Sequence, residues 1–334
     1  MALQTTTGFW PVVAAVFGNA IVTVSKFVAA SVSGSSAMFS EAVHSAADTL
    51  NQILLLIGLR RSLKKADEDF EYGYGNERFF WALISACGVF FAGAGVTAYS
   101  GITALFHPEP IEFSLVIFAV LVFALVVELY TFYVAASSLK KSFPNARLSE
   151  RLKMADPMTL AVYLEDAIAV AGIAVAAFAI GMSYYTGNVA WDAVGSIIIS
   201  IFLAIAALTL IVKNRSFLIG RSMPDELQEA VIKLLESDPA IEKVIDFKST
   251  VLGWGVYRIK CEVEFNGAAL LSAEYQQASL REQYKKTRDF ESFKKFSAEY
   301  ADRIPRLMGR KIDEIESRIR KTHPEIRHID IEIN

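Results

Sequence analysis

Cysteine and histidine are scarce in this sequence, with two Cys (Cys87 and Cys261) and four His. Two cysteines make no disulfide framework, and no Cys-based zinc motif occurs. Cys87 stands in an apolar run and Cys261 in a strand-like one, so both read as small core residues. No G-x-x-x-x-G-K-[S/T] run is present, which argues against coupling to ATP. No nucleophile has a base at catalytic spacing, so an enzyme is not expected. A formal net charge of −3 argues against nucleic acid as a partner. The opening residues MALQTTTGFWP lack a basic n-region and the Arg- and Ser-rich character of a transit peptide. The first apolar run is therefore expected to stay in a membrane, and a bacterial-type plasma (inner) membrane is the expected location.

What is abundant is apolar side chain. Of 334 residues, 53% are hydrophobic and 21% charged, and the mean hydropathy is +0.36. A soluble domain seldom averages above zero, so the apolar residues must be concentrated in spans. Six runs approach or exceed the ~20 residues a helix needs to cross a bilayer, near 7–31, 36–60, 78–105, 112–138, 159–184 and 189–213. Basic residues mark one side of the membrane. Arg60, Arg61, Lys64, Lys65 and Arg78 flank the connection after span two, Lys140, Lys141, Arg147, Arg151 and Lys153 fill that after span four, and Lys213, Arg215 and Arg221 follow span six. The opposite connections, around 31–36, 103–113 and 184–189, contain no Lys or Arg. Both termini are therefore expected to be cytoplasmic.

After Pro224 the composition becomes that of a soluble domain. Residues 225–237 put Leu227, Ala230, Val231, Leu234 and Leu235 on one helical face. Ile245, Phe247, Ser249 and Val251 alternate as a strand, and Tyr257, Ile259, Cys261, Val263 and Phe265 do so more cleanly. A helix follows over 302–321, and a last strand alternates through Ile329, Ile331 and Ile333. The expected architecture is thus an α-helical transmembrane bundle of six spans over residues 1–221. A cytoplasmic α+β domain, helix-strand-strand-helix-strand, follows over 222–334, with a helical insertion near 267–300.

Chemistry concentrates in two spans. His44 and Asp48 are four residues apart in span two and emerge on one helical face. Glu41, Asn51 and Gln52 extend that stripe as accessory residues of a transport path. Span five carries Glu165 and Asp166. Adjacent residues diverge by about 100° around a helix, so one of the two faces a metal and the other binds protons or a neighbouring helix. Ionisable side chains in a span are costly and mark ion or proton paths, and His with carboxylate can bind a divalent cation. The competing readings are hydrogen bonding between helices, or a metal-binding scaffold or sensor that moves nothing.

The run His44-Ser45-Ala46-Ala47-Asp48 with an acid in span five resembles the cation diffusion facilitator family of zinc and related metal antiporters. The loop Tyr72–Gly75 and the junction Gly220-Arg221-Ser222-Met223-Pro224 are similar to that family's. Leu164-Glu165-Asp166, Phe106-His107-Pro108-Glu109-Pro110 and Pro324–Asp330 resemble the branch that includes the mitochondrial zinc transporter of animals. The resemblance implies proton-coupled export of Zn2+ through His44, Asp48 and Asp166, and a homodimer mediated by the soluble domain. Four residues before Asp166 stands Val162, where the family commonly has His or Asp, so Glu165 or water is expected to stand in. Such a carboxylate-rich set also suits Mn2+, Fe2+ or Co2+. Phe70 and Tyr74 stand where some members bind loop zinc, and His107, His323 and His328 read as structural or surface residues.

Overall fold

Helices apolar on every side are stable only when their outward face meets hydrocarbon or more protein. The computed structural model describes residues 9–108, 115–155, 157–274 and 277–334. The expected starts of spans one and four (7–8 and 112–114), and Glu109-Pro110, lie outside the described residues. The chain divides into two units, Met1–Ile219 and Gly220–Asn334.

In the first unit, α1 (Phe9–Ser33) and α2 (Ser36–Ser62) are joined by the tight turn at Gly34. Span three is α3 (Glu77–Gly88) and α4 (Gly95–Phe106), joined by a π-helical turn over Val89–Ala94. Then come α5 (Leu115–Ser142), a short α6 (Leu148–Met154) that was not anticipated, α7 (Pro157–Thr186) and α8 (Ala190–Leu218). Among the described residues, five stretches are long and apolar enough to cross a membrane: Ser36–Ser62, Glu77–Phe106, Ile117–Ser142, Thr159–Thr186 and Ala190–Leu218. Asn19–Ser33 of α1 adds a shorter apolar stretch within a 25-residue helix. Small and branched residues fill the interior, with Ala29, Ala37, Met38, Ile173, Ala176, Ile180, Ile199 and Leu203 all buried. Phe91, Tyr99, Val126, Tyr133 and Val212 point outward. In water such a surface would aggregate, whereas in a bilayer it is the solvated face. Helices α7 and α8 approach closely because Gly195 has no side chain. A Cβ there would sit 2.5 Å from Ala179 Cβ.

The second unit begins with α9 (Asp225–Glu236), which buries Val231 and Leu235. Strands β1 (Ile241–Gly253) and β2 (Val256–Phe265) form an antiparallel hairpin. Its turn has Gly255 at φ +69°, a backbone region that glycine enters without strain. Next are α10 (Gly267–Glu274), α11 (Gln277–Lys286) and α12 (Phe290–Thr322), and β3 (Ile326–Ile333) closes the sheet parallel to β2. The strand order is β1-β2-β3. One sheet face packs Ile241, Ile259, Cys261, Val263, Ile326 and Ile329 against Val231, Leu235, Ile315 and Ile319 of α9 and α12. Burial pushes the Cys261 thiol up to about 12, in keeping with a core residue. On the other face Arg258 pairs with Asp330 at 2.7 Å and Lys260 with Glu332 at 2.7 Å.

Two readings of this unit need correction. The alternation expected through Ile245 breaks because a bulge between Val244 and Asp246 shifts the register. Val244 therefore joins the core while Ile245 is 42% exposed. The helix expected over 302–321 begins at Phe290 and runs through Pro305. Its start is fixed by Asp289, whose carboxylate accepts from Ser292 N at 2.8 Å while Ser292 Oγ accepts from Asp289 N at 3.1 Å.

Asp238 ties the end of α9 to α12. Burial raises the cost of its charge. The Arg318 guanidinium, the Ala240 N–H at 3.0 Å and the Lys311 ammonium at 3.0 Å outweigh that and hold it below the ordinary carboxylate value of 3.8. Its contribution to stability is therefore present above the ordinary value and is lost as pH falls through the lowered one. Asp238→Asn is expected to destabilise this unit by about 1.5–3 kcal/mol at neutral pH, the range for hydrogen bonds to charged groups. In denaturant titrations the gap to wild type should close as pH drops below 3.8.

Candidate metal centre

Helix α2 is the polar spine of the bundle. Its N-terminus is closed by Asp192 of α8, which accepts from Ser35 Oγ (2.6 Å), Ser36 N (2.6 Å), Ser36 Oγ (2.8 Å) and Ala37 N (3.2 Å). A carboxylate here satisfies the free N–H groups of a helix end and complements its dipole. One turn on, Ser40 and Ser196 hydroxyls meet at 2.5 Å, and Ser196 donates to Thr97 O at 3.1 Å. Glu41 is fully buried and pairs with Lys26 of α1 at 3.2 Å. Lys26 also donates to Ser45 Oγ at 2.7 Å and stands 3.9 Å from Glu128 of α5. Gly172 of α7 makes room for this pair, since a Cβ there would lie 2.1 Å from Glu41 Oε1.

His44 and Asp48 follow, 1% and 8% exposed. His44 Nε2 lies 3.4 Å from Asp48 Oδ2 without hydrogen-bond alignment. Both ring nitrogens of His44 and Oδ1 of Asp48 have no hydrogen-bond partner. Buried polar atoms are nearly always satisfied, and an orphaned set of this kind needs an explanation. Asn51 is engaged on both sides, accepting from Ser85 Oγ of α3 and donating to Glu165 Oε1 of α7. Asp166, beside Glu165, is half-buried.

Asp48, Gln52, Glu165 and Asp166 line one cavity of about 1090 Å³, together with Glu128, Thr131 and Val162. The structure thus brings residues of spans two and five to a common wall, with His44 buried one turn from Asp48. Glu41 lies apart from that wall, held by Lys26. Among the described residues, no three His, Cys, Asp or Glu side chains already stand as a closed metal site. Lys26, Glu128 and Asp192 escaped the sequence reading, although each is an ionisable residue in an apolar run. That signal was available, but their partners were not. In the loop after α2, Tyr74 OH donates to Asp67 at 2.8 Å and Lys64 reaches both at 2.7 Å. The Lys64 and Tyr74 hydrogen bonds hold the Asp67 carboxyl down at about 2.

The cation efflux transmembrane domain family matches residues 12–219 of the chain. The chain belongs to the cation efflux family. Members of this family are integral membrane transporters rather than enzymes. A mouse (Mus musculus) member, named proton-coupled zinc antiporter SLC30A9, mitochondrial, is 35% identical over 314 residues, covering 92% of this chain and 55% of that protein. Metal tolerance protein C4 of Arabidopsis thaliana is 34% identical over 331 residues, covering 96% of this chain and 72% of that one. The cation-efflux pump FieF of Klebsiella pneumoniae is 26% identical over 254 residues, covering 74% and 80%. The chain spans about half the length (55%) of the animal relatives it matches.

Gly172→Ala should expel Glu41 from its cradle. It is expected to lower the stability of the detergent-solubilised chain by about 1–3 kcal/mol, the usual cost of overpacking. An unchanged melting temperature would mean that the Glu41 carboxylate has another place to go.

Proposed function

We propose that the chain exchanges a divalent metal ion, zinc foremost, for protons. The observation that carries this reading is the acid-lined cavity walled by α2, α5 and α7, with an unpartnered Asp48 atom on its wall and unpartnered His44 one turn away. His44, Asp48 and Asp166 are the ligands, and Glu165 is the acid engaged by the neighbouring helix through Asn51. Among the described residues these side chains do not stand as a closed metal site, so cargo must rearrange them, which is a natural link between binding and a conformational step.

Coupling follows from ligand chemistry. Metal binding requires neutral His and ionised carboxylates, so each arriving ion releases protons. Protons from the far side reverse the exchange and release the metal. Apparent zinc affinity should therefore fall as pH falls. Val162 contributes an apolar side chain to the cavity wall, leaving a set with one His among carboxylates, and such a set also admits manganese, ferrous iron or cobalt. The basic connections put both termini on the cytoplasmic side. Residues 1–221 carry out transport, and 222–334 form a regulatory domain that pairs two copies of the chain. The names of the animal relatives support zinc and protons as substrates. Those animal proteins are named mitochondrial, and the exchange needs only a membrane that holds a proton gradient.

The test is metal flux into proteoliposomes under an imposed pH gradient, comparing zinc, manganese, iron and cobalt. Zinc should move with a matching change of lumenal pH, and Asp48→Ala and Asp166→Ala should each reduce flux to background. Tight binding with no flux for any of the four metals would favour a scaffold.

A further inference from the structure

Lys26 of α1 and Glu128 of α5 are charged side chains of the bundle that the exchange, as described, does not use. Lys26 is fully buried, and an ammonium has three protons to donate. One meets Ser45 Oγ at 2.7 Å and another Glu41 Oε2 at 3.2 Å. Glu128 Oε1 stands at 3.9 Å, outside hydrogen-bond reach, so charge alone holds it.

The two carboxylates beside Lys26 differ in freedom. Glu41 has no exposed side chain and sits in the cradle left by Gly172. Glu128 keeps 13% of its side chain exposed and lines the cavity with Asp48 and Asp166. One ammonium cannot neutralise two carboxylates. With Glu41 fixed, Glu128 is the surplus charge, and it faces the space where a cation would sit. Asp48, whose side chain is 12% exposed, keeps Oδ1 without a partner on the same wall.

We propose that Glu128 is a further cargo ligand, supplied by span four, and that Lys26 is a tethered cation that competes with the metal for it. The inference rests on the reading of His44, Asp48 and Asp166 as ligands. Zinc takes four ligands, and those three leave one position. Glu165 is a poorer candidate because its Oε1 already accepts from Asn51. When the metal takes Glu128, Lys26 and Glu41 remain as a neutral pair. When the metal leaves, the ammonium draws Glu128 back. Lys26 thus acts as a positioning residue that opposes tight retention of cargo.

The experiment is zinc titration by calorimetry of the full chain in lipid nanodiscs, with folding checked by thermal melting. Glu128→Gln is expected to weaken zinc binding by about tenfold or more, a scale on which even outer-shell partners of metals register. Glu128→Asp, which keeps the carboxylate, should retain more affinity than Glu128→Gln. Lys26→Met combined with Glu41→Gln removes the competitor without stranding a buried carboxylate, and should tighten zinc binding. That tightening should vanish when Glu128→Gln is added. Wild-type affinity in Glu128→Gln, alongside lost binding in Asp48→Ala, would overturn this inference and leave the site intact. Wild-type affinity in Asp48→Ala would take down the site itself. Should Glu128→Gln fail to fold, the Lys26→Met/Glu41→Gln chain decides alone, since unchanged affinity there contradicts the competition.

Discussion

A charge inside hydrocarbon costs about 3 kcal/mol on insertion scales, and more where no water can follow it. That penalty organises the bundle. Its ionisable residues turn inward, where Lys26, Glu41, His44, Asp48, Glu165 and Asp192 are all buried, and most of them find a partner on another helix. Lys26 joins α1 to α2, Asp192 joins α8 to α2, and Asn51 joins α2 to α3 and α7. The same links that discharge the cost fix which helices are neighbours. Helix α2 gathers them because its small residues let other helices approach and its polar residues give them something to bind.

The polar links also divide α2 by function. Its first turn is closed by Asp192, and Ser40 meets Ser196 one turn on. About 12–18 Å further along, at the 1.5 Å rise per residue of a helix, His44 and Asp48 carry polar atoms without partners, and Asp48 lines the cavity. A satisfied end resists motion, and an unsatisfied end invites a ligand. An exchanger needs both, because a site that moves must move against something that does not.

Much of this was legible in sequence, for identifiable reasons. The spans could be located because hydrocarbon imposes a length and a composition, and β2 could be read because one of its faces is buried and the other wet. His44, Asp48, Glu165 and Asp166 stood out because charge in an apolar run is rare. Lys26 and Glu128 carried the same signal, but their meaning lies in contacts between α1, α2 and α5 that helical spacing within one span does not reveal. Ile245 misled because a bulge reverses faces without altering the alternating pattern. The early start of α12 was hidden because its cap uses Ser292 at the third position in place of the usual Glu or Gln.

The central claim is that cargo binds between spans two and five. It is tested most directly by determining the structure of the full chain in lipid nanodiscs after zinc loading. The account predicts a single ion in the cavity beside His44, with Asp48 and Asp166 drawn onto it from opposite helices. An ion bound only in the connecting loops or the soluble unit, with the cavity side chains unmoved, would contradict it.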